Sequence, residues 1–226
     1  MALTDEAILQ IRGLIASGQL GPGSRLPPEQ ELSTQLGLSR NSMREAVKAL
    51  ELARVLDVRR GDGTYVTSLE PNLLLEGFGV AVELLREDTL LEVMEVRRML
   101  EPQATAIAAS RITEATLEEL KSYLDSMHAA KDDAEQLVEH DAAFHECVVR
   151  ATGNRTLMSV LEGLSSRMTR ARVWRVMIED GSVEQTLDQH GHIYNALSGR
   201  DPELARATAL THVATSGQWL HRIVRG

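Results

Sequence analysis

Residues 28–53, PEQELSTQLGLSRNSMREAVKALELA, contain two helix-forming runs on either side of Gly37. Pro28 suits a first helical position, and glycine stops the short helix PEQELSTQLG. Ser39 is a good N-cap for SRNSMREAVKALELA, whose Met43, Ala46, Val47 and Leu50 share one face. Upstream, Ile8, Ile11, Leu14 and Ile15 have helical spacing in TDEAILQIRGLIASG, with Thr4 as cap and Gly18 as stop. The Pro/Gly-rich LGPGSRLPP between them cannot stay helical. Downstream the period changes: VLDVRR and TYVTS are short and β-branched, and GDG separates them, which predicts a hairpin. Three short helices followed by a hairpin predict a winged helix-turn-helix over residues 1–68, with the helix opening Ser-Arg-Asn-Ser as its reading helix.

Charge follows the same division. The net charge of −9 argues against nucleic acid only if it is spread evenly. Residues 1–68 carry 8 Lys/Arg against 8 Asp/Glu, so residues 69–226, with 16 against 25, hold all the excess acid. Arg40, Arg44, Lys48, Arg54, Arg59 and Arg60 crowd into one 21-residue window of the first part. A local basic surface is what phosphates require. Arg40 and Arg44 lie one turn apart, and their guanidinium forks suit guanine edges or phosphate. Ser39, Asn41 and Ser42 can bond phosphates at the helix N-terminus. Arg59, Arg60 and Gly61 fall at the wing, where a tight turn can enter the minor groove.

SLEPNL, residues 68–73, marks a boundary, and nothing beyond it reads as a strand. Helices are expected near 72–86, 89–111, 113–131, 133–152, 154–177, 181–199 and 201–225, giving an antiparallel all-α bundle over 69–226. The fold class is therefore mainly α. Hydrophobic residues make up 43% and aromatics 3%, so the core is aliphatic, which favours helices. No apolar run approaches the roughly 20 residues of a membrane span, and no signal segment is evident, so a cytoplasmic protein is expected. The single Cys147 excludes an internal disulfide framework.

The bundle carries polar residues where apolar ones belong. In QLVEHDAAFHECVVR, Asp141 and His145 are one turn apart on the stripe of Leu137, Phe144 and Val148. His190 falls on the ladder of Val183, Leu187, Tyr194 and Leu197, and His212 shares a stripe with Thr208, Thr215 and Trp219. Burying a bare carboxylate is costly unless it is paired or metal-bound. Three imidazoles and a carboxylate form a common transition-metal set. The residue pattern alone leaves this reading open beside that of satisfied core histidines. His140 points about 100° away from Asp141. His128, His192 and His221 read as surface residues, and Cys147 as core. Arg167, Arg170, Arg172 and Arg175 crowd one helix and read as a solvated face or an interface rather than a pocket lining.

The run GPGSRLPPEQELSTQLGLSRNSMREAVKALELARVLDVRRGDGTYV resembles the GntR family of bacterial transcription regulators. That resemblance implies operator contacts at Gln30, Ser39, Arg40, Asn41, Ser42, Arg44, Arg60 and Gly61. Two departures stand out: Gln30 replaces a frequent Arg, and Arg54 stands where a helix-ending Gly is usual. The second part resembles the FCD domain of the family's FadR branch, through VRRMLEPQATAIAAS, through DAAFHECVVRATGN, and through His190 followed 22 residues later by His212. This implies a divalent metal (most simply zinc, otherwise nickel or manganese) on Asp141, His145, His190 and His212, with Arg97 reaching into the effector cavity. The function implied is a homodimeric repressor on double-stranded, inverted-repeat operator DNA, released by a small carboxylate. A regulator for which the metal itself is the signal, and a metalloenzyme, remain as alternatives.

Overall fold

The computed structural model describes residues 3–84 and 89–225. By its internal contacts the chain divides into two compact units, Met1–Gly77 and Phe78–Gly226. This division falls later in the chain than the sequence-based one after residue 68.

The first unit begins with α1 (Leu3–Ala16), α2 (Glu29–Gln35) and α3 (Arg40–Leu52). Gly37 links the last two in the left-handed region, at φ 68°, where a Cβ would be strained. Ser39 caps α3 by accepting from the Ser42 amide at 3.1 Å. The apolar faces converge as the spacing requires: Ala7 and Ile11 of α1, Leu32 of α2, and Met43, Ala46, Val47 and Leu50 of α3 are all buried. β1 (Leu56–Arg59) and β2 (Gly63–Val66) pair antiparallel, from Leu56 opposite Val66 to Arg59 opposite Gly63. Only their inner ends, Leu56 and Val66, are fully buried, so the hairpin is a thin wing on a helical core. Arg54 closes α3 with φ 59°, the left-handed turn that a helix-ending glycine adopts without strain.

The expected helix at 72–86 divides into α4 (Pro71–Leu74) and α5 (Glu76–Glu83). Its predicted end, and the predicted break after residue 86, lie outside the described residues. The remaining helices are α6 (Leu90–Arg111), α7 (Glu114–Ala129), α8 (Ala134–Arg150), α9 (Arg155–Ile178), α10 (Ser182–Ser198) and α11 (Pro202–Arg225). Each matches its sequence-based counterpart to within a few residues. Three of the breaks carry side-chain caps: Thr113, Asp133 and Asn154 each accept from amides of the first turn that follows.

The bundle core has two parts. Leu120 and Met127 of α7 meet Leu137 and Phe144 of α8 and Ile193 and Leu197 of α10. Val93 and Met94 of α6 meet Leu161, Leu164 and Met168 of α9 and Trp219 and Leu220 of α11. The polar residues singled out above come from helices of both parts.

Candidate nucleic-acid interface and metal centre

On α3, Arg40, Asn41 and Arg44 are exposed, while Ser42 is buried and its hydroxyl pairs with that of Ser39 at 2.9 Å. Gln30 is exposed on α2, and its carbonyl accepts from Ser33 and Thr34. Arg44 lies 3.7 Å from Glu29, a contact so exposed that a phosphate can replace it at little cost. At the wing, Arg60 and Gly61 are exposed, and Gly61 takes φ 78° at the turn. Arg59 is held differently: it bonds Asp57 at 2.9 Å and lies over the Tyr65 ring at 4.3 Å. The Arg25 side chain braces the turn by donating to the Asp62 carbonyl and lies so close to Gly63 that a Cβ there would clash.

In the second unit, Asp141 and His145 come from α8, His190 from α10 and His212 from α11. One ligand atom from each lies within 4.8 Å of the other three. A metal with bonds of about 2.0–2.2 Å holds donors no more than about 4.4 Å apart, so small side-chain movements complete the shell. His190 is fully buried and Asp141 and His212 nearly so.

Hydrogen bonds around the rings fix which nitrogen faces inward. The Thr215 hydroxyl donates to the Thr211 carbonyl, so it accepts from the Gln189 amide nitrogen at 3.0 Å. That turns the Gln189 oxygen toward His212 Nδ1, which donates to it at 3.0 Å and leaves Nε2 as a lone pair. His190 Nδ1 likewise donates to the Thr186 carbonyl at 2.8 Å. Its Nε2 then faces Asp141 Oδ1 at 3.1 Å, and His145 Nε2 lies 3.7 Å from the same oxygen. Among the described residues the Nε2 atoms of His145 and His190 are buried without a hydrogen-bond partner. A single proton would satisfy one ring; a divalent cation satisfies the whole set. The residues therefore fit a transition metal.

Electrostatics point the same way. Burial pushes the His145 imidazole down to about 4. Burial, and then the neighbouring His190, hold His212 well below its ordinary value. Both rings are thus neutral, as ligands must be. Burial opposes ionisation of Asp141, but the Arg172 guanidinium at 2.9 Å and the histidines keep its carboxyl well below the usual carboxylate range.

Beside the cluster lies a cavity of about 40 Å³ lined by Asp141, His212, Arg97, Arg172, Arg175 and Trp219, among others. Arg97 is buried and bonded to Glu101 one turn on. The reading of Arg172 and Arg175 as a solvated face is corrected here. Both lie on the α9 stripe of Leu161, Leu164 and Met168, Arg172 pairs with Asp141, and Arg175 bonds Glu179, Gln185 and Ser216. That stripe is legible in the sequence, but four arginines in nine residues mask it. Arg170 is exposed, and the Arg167 side chain lies outside the described residues. His128, His192 and His221 are exposed, and Cys147 is core, where burial pushes its thiol up to about 12.

Comparison with known proteins gives this arrangement a family. Residues 3–66 match the gntR family of bacterial regulatory proteins, and residues 92–215 match the FCD domain. The chain is 31% identical over 206 residues to the HTH-type transcriptional regulator LutR of Bacillus subtilis, covering 88% of this chain and 93% of that protein. It is also 31% identical over 226 residues to the galactonate operon transcriptional repressor of Escherichia coli, covering 97% of each. A solved GntR structure from Streptococcus agalactiae shares the fold, with a TM-score of 0.64 over 95% of this chain and 99% of that one at 24% identity. The chain belongs to the GntR family, with a winged helix-turn-helix followed by an FCD domain. It is a DNA-binding transcription regulator, not an enzyme. No helix among the described residues is long and apolar enough to cross a membrane.

Proposed function

We propose that the chain acts as a homodimeric repressor that binds an inverted-repeat operator and lets go when a small carboxylate reaches the centre formed by Asp141, His145, His190 and His212. A two-fold dimer matches a two-fold operator. The division of labour is that expected from the sequence, with residues 1–68 reading DNA and 69–226 dimerising and sensing. Arg40 and Arg44 are assigned to base edges or phosphates. Gln30, Ser39, Asn41 and Ser42 are assigned to the backbone around the helix N-terminus, and Arg60 and Gly61 to the wing contact.

A divalent metal held by the four ligands, zinc first and nickel or manganese as substitutes, would supply open coordination positions for a carboxylate. The observation that carries the effector reading is Arg172. Its Nη1 holds Asp141 while its Nη2 is buried without a partner among the described residues. A buried, unpaired guanidinium N–H is costly, and an anion's oxygen removes that cost. Arg97, on the same cavity, is assigned the far end of the ligand. The space of about 40 Å³ holds roughly three waters and no hydroxy acid, so binding requires the helices around it to part. That requirement links the ligand to a change in the bundle.

The name of the relative tied to galactonate supports a short hydroxy or sugar acid rather than a long acyl chain. A thermal-shift screen of such acids tests this. An acid at about 100 times its Kd stabilises the metal-loaded protein by about 2.7 kcal/mol, and the shift disappears in Asp141→Ala. A panel of lactate, glycolate, galactonate and citrate that leaves the melting temperature unmoved contradicts the reading.

A further inference from the structure

His145 faces a second cavity, and its chemistry is opposite to that of the first. This cavity, of about 250 Å³, is formed between α6, α8 and α9 and is lined by Glu101, Glu146, Glu162, Ser165 and Thr169 beside His145. No Lys or Arg among the described residues lines it, whereas Arg97, Arg172 and Arg175 line the smaller one. Glu146 and Glu162 are exposed. Glu101 is only 6% exposed; one of its oxygens accepts from Arg97, and the other, Oε2, is buried with no partner among the described residues. The His145 Nε2 atom is in the same condition. A chain of oxygen ligands thus leads from solvent to the first nitrogen of the cluster.

We propose that this acid-lined cavity is the path by which a divalent cation reaches and leaves the centre. Glu146 and Glu162 concentrate the cation at the mouth, Glu101 Oε2 takes it as a passing ligand, and His145 receives it. The inference rests on the metal reading of the cluster and adds a route to it. Three guanidinium groups make the smaller cavity repulsive to a dication and attractive to an anion. Metal and effector therefore approach the centre through different walls, and a bound acid does not block metal exchange. A mouth of carboxylates raises local cation concentration, and salt screens that effect.

The test uses the metal-free full-length protein, with Co²⁺ as probe and stopped-flow quenching of tryptophan fluorescence as readout. Trp219 lines the neighbouring cavity and packs edge to face on Trp174. The variant is Glu146→Gln/Glu162→Gln, and the charge-matched control is Glu118→Gln/Glu184→Gln, all four positions being exposed. At low salt the mouth variant should bind Co²⁺ about tenfold more slowly than wild type. It should also release Co²⁺ more slowly, so that affinity changes less than either rate, and its association should lose most of its dependence on salt. The control should stay within about twofold of wild type in association rate, a small part of the steering effect. A mouth variant as fast as wild type, or a control slowed as much as the variant, overturns the route. Equilibrium titration of the wild type separates the two claims: no Co²⁺ binding there removes the metal centre itself.

Discussion

At Arg54 the backbone accepts φ 59° although the side chain has a Cβ, and its guanidinium bonds Glu76. The departure from the glycine usual at this turn therefore leaves the geometry intact and places strain in one residue. Arg54→Gly should stabilise the protein by about 0.5–1 kcal/mol, after allowing for the greater freedom of glycine in the unfolded chain. Thermal or urea unfolding checks this. His145 gives a second expectation at the same scale. Its imidazole titrates near 4 in the fold against an ordinary 6.5, so the folded state binds fewer protons than the unfolded one between those values. Stability therefore rises with pH across that window, and it is lost as acid is added from 6.5 toward 4. The metal-free protein should melt progressively lower from pH 7 to pH 5, and His145→Gln should show a smaller fall. Arg172 marks what the sequence did not reveal. Asp141 and the histidines stood out because each breaks an apolar stripe, but Arg172 and Arg175 sat among other arginines. The stripe they share with Leu161, Leu164 and Met168 is helical in spacing, but their partners on α8, α10 and α11 are brought to them only by the fold.

Among the elements, α3 was the most legible, because a cap, a glycine stop and four apolar positions agree on one face. Arg40→Ala and Arg44→Ala should each weaken specific operator binding by roughly 1–3 kcal/mol if they make bidentate base contacts. Fluorescence anisotropy against specific and scrambled duplexes measures this, and full-strength selective binding by both variants contradicts the assignment. Ser39 and Ser42 are a different case. Both hydroxyls are used inside the protein, in the cap and in their mutual bond. Ser39→Ala should cost about 1 kcal/mol of stability through the lost cap, besides any loss of phosphate contact. The bundle helices were legible from their breaks, since Thr113, Asp133 and Asn154 announce the next helix chemically. The division of 71–83 into two short helices was not, because Leu75 leaves the helix without a proline or glycine to mark it.

At the scale of the molecule, the two units read as one regulator because one carries exposed arginines on a helix-turn-helix and the other a buried ligand set. The winged helix was visible in the sequence through local signals. From the residue pattern the centre was visible as three separate anomalies, which only the FCD resemblance joined, since Asp141, His190 and His212 lie far apart in the chain and the fold brings them within 4.8 Å. In the proposed mechanism, coupling between sensing and DNA binding is a free energy shared by both sites, so an acid that weakens operator binding must itself be bound more weakly, by the same factor, when operator DNA is present. The most direct test is anisotropy of a labelled operator, selected by the metal-loaded protein from a random pool, titrated with short hydroxy and sugar acids before and after chelation. The account predicts that at least one acid releases DNA from the metal-loaded protein, that chelation alone does not, and that the acid has no effect on the chelated protein or on His190→Ala. Release by chelation alone, to the same extent as by any acid, would make the metal the signal and contradict the account.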